Sequence, residues 1–379
     1  MSKVSSVLVT GGAGFIGSHV TDLLVKNGYE VKVLDSLEPQ VHGNSRKIPE
    51  YLSGSCKTVI GDVRDRNRLK KILNDVDAVI HLAAMVGVGQ SMYQVERYVD
   101  SNTRGTSVLL DLLANREHTV KKLVVASSMS VYGEGKYYCD ECELYETPEL
   151  RTFARKRIVN WEHSCEQCGT SLKPVPTDED APLRPTSIYA MSKKQQEEMC
   201  LLIGKTYGIP TVALRFFNAC GPRQSLSNPY TGAAAIFMSR ILNKQPPYIF
   251  EDGNQLRDFV HVKDIAKACW LAMERDEADY LPVNVGTGKP TSICQVAEIL
   301  IHLYNAPIKP HISNEFRKGD IRHCYADTMR AKKLLKFETN LTIRDALGDL
   351  VKWTKTEGGD NAVDTFDKAL DQLKERNLA

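Results

Sequence analysis

Short apolar runs rich in β-branched residues recur through the first half of the chain: VSSVLVT, VKVLDS, DAVIHLAA, KKLVVASS and TVALRFFN. Longer stretches of helical period lie between them, among them SHVTDLLVKNG, RNRLKKILND and NTRGTSVLLDLLAN. Strands that alternate with helices predict an α/β fold with a doubly wound parallel sheet. After about Asn218 the rhythm changes. Loops rich in Pro and Gly (CGPRQSLSNPYTG, NKQPPYIFEDGNQ) mix with helical runs. The expected division is a first domain over 1–217, a smaller discontinuous lobe over 218–357 and a tail over 358–379. Spaced apolar positions in the tail (Val363, Phe366, Leu370, Leu373) predict a surface helix. Residues from about 136 to 185 fit neither rhythm: they are polar and contain two Cys-x-x-Cys pairs.

Composition narrows the class. The chain has 379 residues, enough to bury a sizeable core. Lys plus Arg is 49 and Asp plus Glu is 47, a net charge of +2 that gives no reason to expect nucleic-acid binding. No apolar run approaches the ~20 residues a membrane span needs. The apolar N-terminal run leads straight into a glycine loop, so it reads as a first strand rather than a signal peptide, and a cytoplasmic protein is expected.

In LVTGGAGFIGSHV, Gly11, Gly14 and Gly17 stand at G-x-x-G-x-x-G spacing between a strand and a helix, with Phe15 and Ile16 inside the turn. Glycines there allow a tight turn and close approach of backbone to a pyrophosphate at the helix N-terminus. Asp35 ends the next strand, placed to accept from a ribose 2′-OH and to repel a 2′-phosphate, which favours NAD over NADP. SIYAMSKKQ places Tyr189 and Lys193 on one helix face. An ammonium beside a phenol lowers its pKa and suits it to act as a general base. Ser128, at the end of KKLVVASS, sits where open α/β sheets place ligand residues and can hydrogen-bond the reacting oxygen.

These motifs, with GDVRD, HLAA, RFFNACGPRQ, EDGNQLRDFVHV and RKGDIRH, resemble the extended short-chain dehydrogenases/reductases of the nucleotide-sugar epimerase and dehydratase group, from about Val4 to Leu350 outside the cysteine segment. The resemblance implies a Rossmann-type NAD domain, a C-terminal lobe for a nucleotide-diphosphate sugar, and a Ser128–Tyr189–Lys193 constellation. It places Asp62 and Val63 along the adenine and Leu82, Ala83 and Ala84 beside the cofactor. Asn102 falls on the nicotinamide side, Asn218 against the sugar diphosphate, and Arg257 and Arg317 gripping that diphosphate. Two planar guanidinium forks suit such a group. The resemblance also implies a homodimer through the helix of NTRGTSVLLDLLAN and the helix after Tyr189; Val108, Leu109, Leu112 and Leu113 fit one face of the former.

The 4,6-dehydratases of the group carry an Asp-Glu pair after the triad Ser/Thr. Met129 and Ser130 stand there instead, so C4 epimerisation through a transient 4-keto sugar is expected. SMYQVERYVD, ASSMSVYGEG, NPYTGAAAIF and EDGNQLRDFVHV, with the double Cys-x-x-Cys, resemble the dTDP-L-rhamnose 4-epimerase branch; UDP-glucose/UDP-galactose-type epimerases are the alternative. A 4-keto-sugar reductase and a non-enzymatic NAD-sensing scaffold are two further readings. The scaffold reading would draw on RTFARKR, which otherwise reads as a solvated face. Cys139, Cys142, Cys165 and Cys168 give C-x2-C-x22-C-x2-C, close to the spacing of a structural zinc site of zinc-ribbon type, with free cysteines and a redox disulfide pair as the other readings.

Overall fold

The computed structural model describes residues 4–379 apart from 45, 53, 55, 152–160 and 359–361. Seven strands form one parallel sheet. Their order is Pro282–Val285, Thr211–Phe216, Lys122–Ser128, Ala78–His81, Ser6–Thr10, Glu30–Asp35 and Lys57–Ile60. All-parallel sheets are covered on both faces, which is why these strands read as continuous apolar runs. Alternate residues feed two cores: Val7, Val9, Val33, Ile80 and Val124 pack on one face, and Leu8, Leu34, Val79, Leu123 and Val125 on the other. The order reverses between Ser6–Thr10 and its neighbour Ala78–His81. A crevice opens there at the carboxyl edge, the place where such sheets bind ligands.

The chain crosses the division expected at 217/218. Helix Val262–Glu274 returns to pack beside helix Phe15–Lys26, with Tyr29 Oη donating to Glu274 (2.7 Å), and Pro282–Val285 supplies the seventh strand of the sheet. The smaller lobe has a sheet of Asn218–Cys220, Leu256–His261, Pro290–Ser292 and His323–Cys324. Its core includes Phe237, Met238, Val296, Leu300 and Leu347.

The cysteine segment contains an antiparallel sheet of Leu144–Glu146, Lys136–Cys139 and Lys173–Val175. Among the described residues its own buried cluster is Tyr137, Leu172, Cys139 and Cys165, too small to fix a fold by burial alone. The four Sγ atoms of Cys139, Cys142, Cys165 and Cys168 lie within 4.8 Å of one another. Gly169 turns the second pair at φ +76°, and Glu143 takes the left-handed position after the first. Most of RTFARKR lies outside the described residues. Arg151, its first residue, is not a solvated cation but is buried against Glu251.

Two further expectations change. Leu109, Leu112 and Leu113 are buried in the chain's own core, because their helix is covered by neighbours on that side; they do not form a dimer face. The tail does form a helix, Phe366–Lys374, but its apolar face is docked rather than lying loosely on the surface, with Phe366, Ala369, Leu370 and Leu373 buried. Val363 stays outside that contact, 61% exposed. Among the described residues no helix is long and apolar enough to cross a membrane.

Candidate active site

A cleft of about 580 Å³ runs from the glycine loop, across the carboxyl edge of the sheet, to the smaller lobe. Gly11 sits at φ +70°, where other residues are strained, and a Cβ at Gly17 would fall 2.0 Å from the Gly11 carbonyl oxygen. The helix that follows starts at Gly14 without a side-chain cap and has no acidic residue in its first turn. Its N-terminus therefore offers N–H groups and a positive dipole end to an anion. Asp35, nearly buried at the rim, is fixed by N–H groups of Ala13 (3.0 Å) and Leu37 (2.9 Å). Phe15, Ile16, Asp62, Val63, Leu82, Ala83 and Ala84 line the same stretch. This cradle fits a dinucleotide.

Asn102 does not line the cleft. It is buried behind it, where its side chain accepts from Met85 N (2.7 Å) and donates to Met85 O (3.1 Å) and Ser192 Oγ (2.9 Å). It thus ties the loop after Ala78–His81 to helix Ile188–Tyr207, a positioning task rather than contact with a cofactor.

Ser128 ends the central strand Lys122–Ser128 and caps the short helix that follows. Its Oγ accepts from Ser130 N (3.2 Å) and Ser130 Oγ (2.9 Å). With those acceptor sites used, the Ser128 proton is directed outward as a donor. Tyr189 stands in the first turn of helix Ile188–Tyr207, which Ser187 caps, and its backbone N–H donates to Ser91 Oγ (3.0 Å). Burial pushes the Tyr189 phenol up, and its hydrogen bond with Ser128 pulls it down.

The expected lowering of the Tyr189 pKa by Lys193 is not present. The Lys193 amine donates to Gln196 Oε1 (2.8 Å), Gln196 Nε2 donates to Thr106 (2.6 Å), and Thr106 and Thr10 both hydrogen-bond the His81 ring. A buried amine takes the nearest good acceptor, and here that is the amide one turn along its own helix. Burial brings Lys193 down to about 8 and His81 to about 3, so this chain carries its positive charge on the lysine and a neutral ring at its centre.

In the smaller lobe Arg257 and Arg317 both line the cleft. Arg257 is held by the carbonyls of Leu256 (2.8 Å), Ile321 (2.6 Å) and Arg322 (2.9 Å). Arg317 pairs with Asp320 (2.8 Å) and stacks on Phe250 with 5.0 Å to the ring centroid. Asn218 Oδ1 is buried at the cleft with no hydrogen-bond partner, and so are Ser127 Oγ, Gln224 Oε1 and Gln255 Oε1. Buried polar atoms are satisfied as a rule, so four orphans around one cleft mark where a polar ligand is expected. Sequence reasoning named only Asn218. Gln224 and Gln255 lie inside RFFNACGPRQ and EDGNQLRDFVHV, but no charge or spacing sets them apart from surface glutamines. The tail's Phe366, Ala369, Leu370 and Leu373 also line the cleft, and no local pattern announces that.

Comparisons with known proteins agree with this geometry. The model of a family described as the NAD dependent epimerase/dehydratase family matches residues 7–286. A dTDP-L-rhamnose 4-epimerase of Burkholderia thailandensis is 33% identical over 93% of this chain and 95% of its own length. A putative UDP-glucose 4-epimerase of Methanocaldococcus jannaschii is also 33% identical, over 92% and 98%. Among solved structures, the UDP-glucose 4-epimerase of Thermotoga maritima with UDP-glucose superposes with a TM-score of 0.74 at 30% identity, covering 92% of this chain and 98% of that one. The UDP-glucuronic acid 4-epimerase of Bacillus cereus in complex with UDP-glucuronic acid and NAD gives 0.74 at 27%, covering 92% and 99%. With a glycine cradle, a Ser–Tyr pair at the crevice and an arginine-lined second lobe, the chain belongs to the NAD-dependent epimerase/dehydratase family, as an enzyme of its nucleotide-sugar 4-epimerase group.

Proposed function

We propose that the enzyme interconverts a dTDP-linked 6-deoxyhexose and its C4 epimer, in the manner of the dTDP-L-rhamnose 4-epimerases. The observation that carries the reaction type is the absence, among the described residues, of an uncommitted carboxylate beside Ser128 and Tyr189. The acids lining the cleft are Asp35, Glu38, Asp62 and Asp320. Asp35 lies at the ribose end, and the other three pair with Arg97, Arg64 and Arg317. Elimination across C5 and C6 needs an acid and a base beyond the triad; epimerisation does not. The Burkholderia relative favours the dTDP-L-rhamnose branch, while UDP-glucose-type epimerisation stays the alternative.

In this reading Arg257 and Arg317 hold the diphosphate and Asn218 the neighbouring oxygen. Tyr189 takes the proton of the sugar 4-OH, and Ser128, aimed by Ser130, donates to that oxygen. NAD, when bound, supplies a reversible hydride acceptor and a positively charged ring. Tyr189 stands in the first turn of its own helix, whose positive dipole end favours the phenolate, and the Ser128 hydrogen bond acts in the same direction. With the cofactor bound, its hydride could return to the other face of a 4-keto sugar that has turned over, and Tyr189 would give the proton back to the 4-oxygen. One proton and one hydride leave and return, so no external reductant is consumed. Incubating the purified enzyme with a panel of dTDP- and UDP-sugars, without added NADH, tests this by NMR. The expected result is mass-neutral conversion of dTDP-L-rhamnose to its C4 epimer. Stoichiometric dependence on added NADH would point to a 4-keto-sugar reductase instead, and conversion of none would sink the proposal.

We further propose that the four cysteines hold one structural zinc. Four thiolates close a tetrahedral site and leave no position open for catalysis, and the segment's small apolar core needs such a staple. The homodimer reading moves to other residues of the same two helical regions. Val99, Met191 and Leu202 are exposed there, and Thr103 Oγ1 donates to Gln195 Oε1 (2.8 Å) between the two regions. Native mass spectrometry at micromolar concentration should find two chains with two zinc ions. Metal-free protein would end the zinc assignment, and a single-chain mass would end the dimer.

A further inference from the structure

The tail helix Phe366–Lys374 carries its apolar residues at 366, 369, 370 and 373, the i, i+3, i+4, i+7 stripe of a helix with one buried face. That stripe spans both lobes. On the side of the NAD-binding sheet, Leu373 Cδ2 comes within 3.3 Å of where a Cβ on Gly89 would stand. Gln372 Oε1 accepts from the hydroxyls of Tyr93 (3.1 Å) and Tyr230 (3.0 Å). On the smaller lobe, Phe366 packs on Tyr248 (5.4 Å between ring centroids), and Leu370 clusters with Phe250 and Ile236. Arg240 pins the start of the helix through Asp364 (3.3 Å) and Asp367 (2.9 Å). The helix is therefore built into the cleft wall.

Its neighbours there are mechanistically important. The Val88–Ser91 segment receives the backbone N–H of Tyr189 through Ser91, and Phe250 carries the stacked Arg317. The tail helix itself gives the cleft only hydrocarbon, at Phe366, Ala369, Leu370 and Leu373, beside Ile236, Phe237 and Phe250; Asn228, Tyr230 and Tyr248 line the same cleft from the smaller lobe, with the Tyr230 hydroxyl donated to Gln372. The orphan polar atoms are supplied by other elements, at Ser127, Asn218, Gln224 and Gln255.

Resting on the epimerase reading, we infer that the tail helix is the selectivity wall of the substrate site, and that Leu370 and Leu373 recognise a methyl group on the nucleotide sugar. A methyl against this wall removes apolar surface from water at both partners. A hydroxymethyl or carboxylate in its place would lose hydrogen bonds to water and find no polar partner on the helix. Two methyl groups have this chemistry, C6 of a 6-deoxyhexose and C5 of thymine. A hydrophobic contact of this size is worth roughly ten- to two-hundredfold in discrimination.

The test uses the full chain and four compounds: dTDP- and UDP-linked 6-deoxyhexose, and dTDP- and UDP-linked hexose. For wild type, Leu370→Gln, Leu373→Gln and the conservative Leu370→Met and Leu373→Met, kcat and KM are measured, together with equilibrium binding of each compound and bound NAD. The expected result is about a tenfold loss of preference in the glutamine variants. The loss should be carried by KM and binding, with kcat and NAD content nearly unchanged and the preference kept in the methionine variants. A loss along the deoxyhexose/hexose ratio places the sugar methyl at the wall; a loss along the dTDP/UDP ratio places the thymine methyl there. Unchanged ratios in folded glutamine variants would overturn the inference and leave the epimerase reading intact. A wild-type enzyme that converts none of a wider sugar panel would overturn the epimerase reading, and the binding ratios would still judge the wall.

Discussion

Replacing Tyr189 by Phe is expected to lower kcat by about a thousandfold while leaving NAD bound. Positioned general acid–base groups contribute typically 10²–10⁴ in rate, and the change deletes one oxygen from a ring that otherwise keeps its place. That place is set by the backbone: Ser187 caps the helix, Ser91 accepts from the Tyr189 N–H, and Tyr98 packs edge-on against the ring at 6.5 Å between centroids. None of these uses the phenol oxygen. The cofactor cradle of Gly11, Gly14, Gly17 and Asp35 lies on other elements and should be undisturbed. Single-turnover measurement of cofactor reduction with a nucleotide sugar separates the outcomes. Loss of the reduction step with NAD still bound supports Tyr189 as the base; near-normal epimerisation would remove it from the chemistry. Ser128→Ala should cost less, because a hydrogen bond is lost and the base remains.

The legible part of this site is the part written in consecutive residues. A strand, a glycine turn and a helix fix Gly11, Gly14 and Gly17 within one local unit, and i,i+4 spacing puts Tyr189 and Lys193 on one face whatever surrounds them. What those groups do to each other was less legible. Lys193 has Gln196 within reach one turn along the same helix, and a side chain's choice of acceptor is not encoded in spacing. Asn102 illustrates the same limit: its position is right for the cofactor region, but its amide faces the loop behind the wall. The apolar stripe Leu109, Leu112 and Leu113 shows a face to be buried without saying against what, and the chain's own core takes it. The tail stripe gave the helix correctly, whereas its contact with Gly89, some 280 residues earlier in the sequence, belongs to tertiary structure alone.

The cysteine segment reaches Arg257 at the cleft through a buried charge network, and this predicts the second large effect. Glu251 is 0% exposed and sits in the left-handed backbone region at φ +55°. Its carboxylate accepts from Arg151 (2.6 and 3.0 Å) in the cysteine segment and from Arg322 (3.0 Å) in the smaller lobe. Arg322 also grips Asp252 and Glu162, and Glu162 hydrogen-bonds His323 (2.7 Å). The other ring nitrogen of His323 accepts from Leu256 N (3.0 Å), beside Arg257, and the carbonyls of Ile321 and Arg322 hold the Arg257 guanidinium. Removing one partner of a buried pair leaves the other charge uncompensated, at a cost of about 3–5 kcal/mol. Glu251→Gln keeps the shape and removes the charge, so it should destabilise the protein by about that much. Substrate KM should also rise as the network that positions Arg257 loosens. Arg322 retains Asp252 and Glu162, so Arg151 bears most of the loss. Adding Arg151→Met to Glu251→Gln should therefore recover much of the stability, because the stranded cation is gone. Denaturant unfolding of both single variants and the double variant decides it. A double variant as unstable as the sum of the singles would mean that the two residues act independently and that no energetic link of this kind joins the cysteine segment to the smaller lobe.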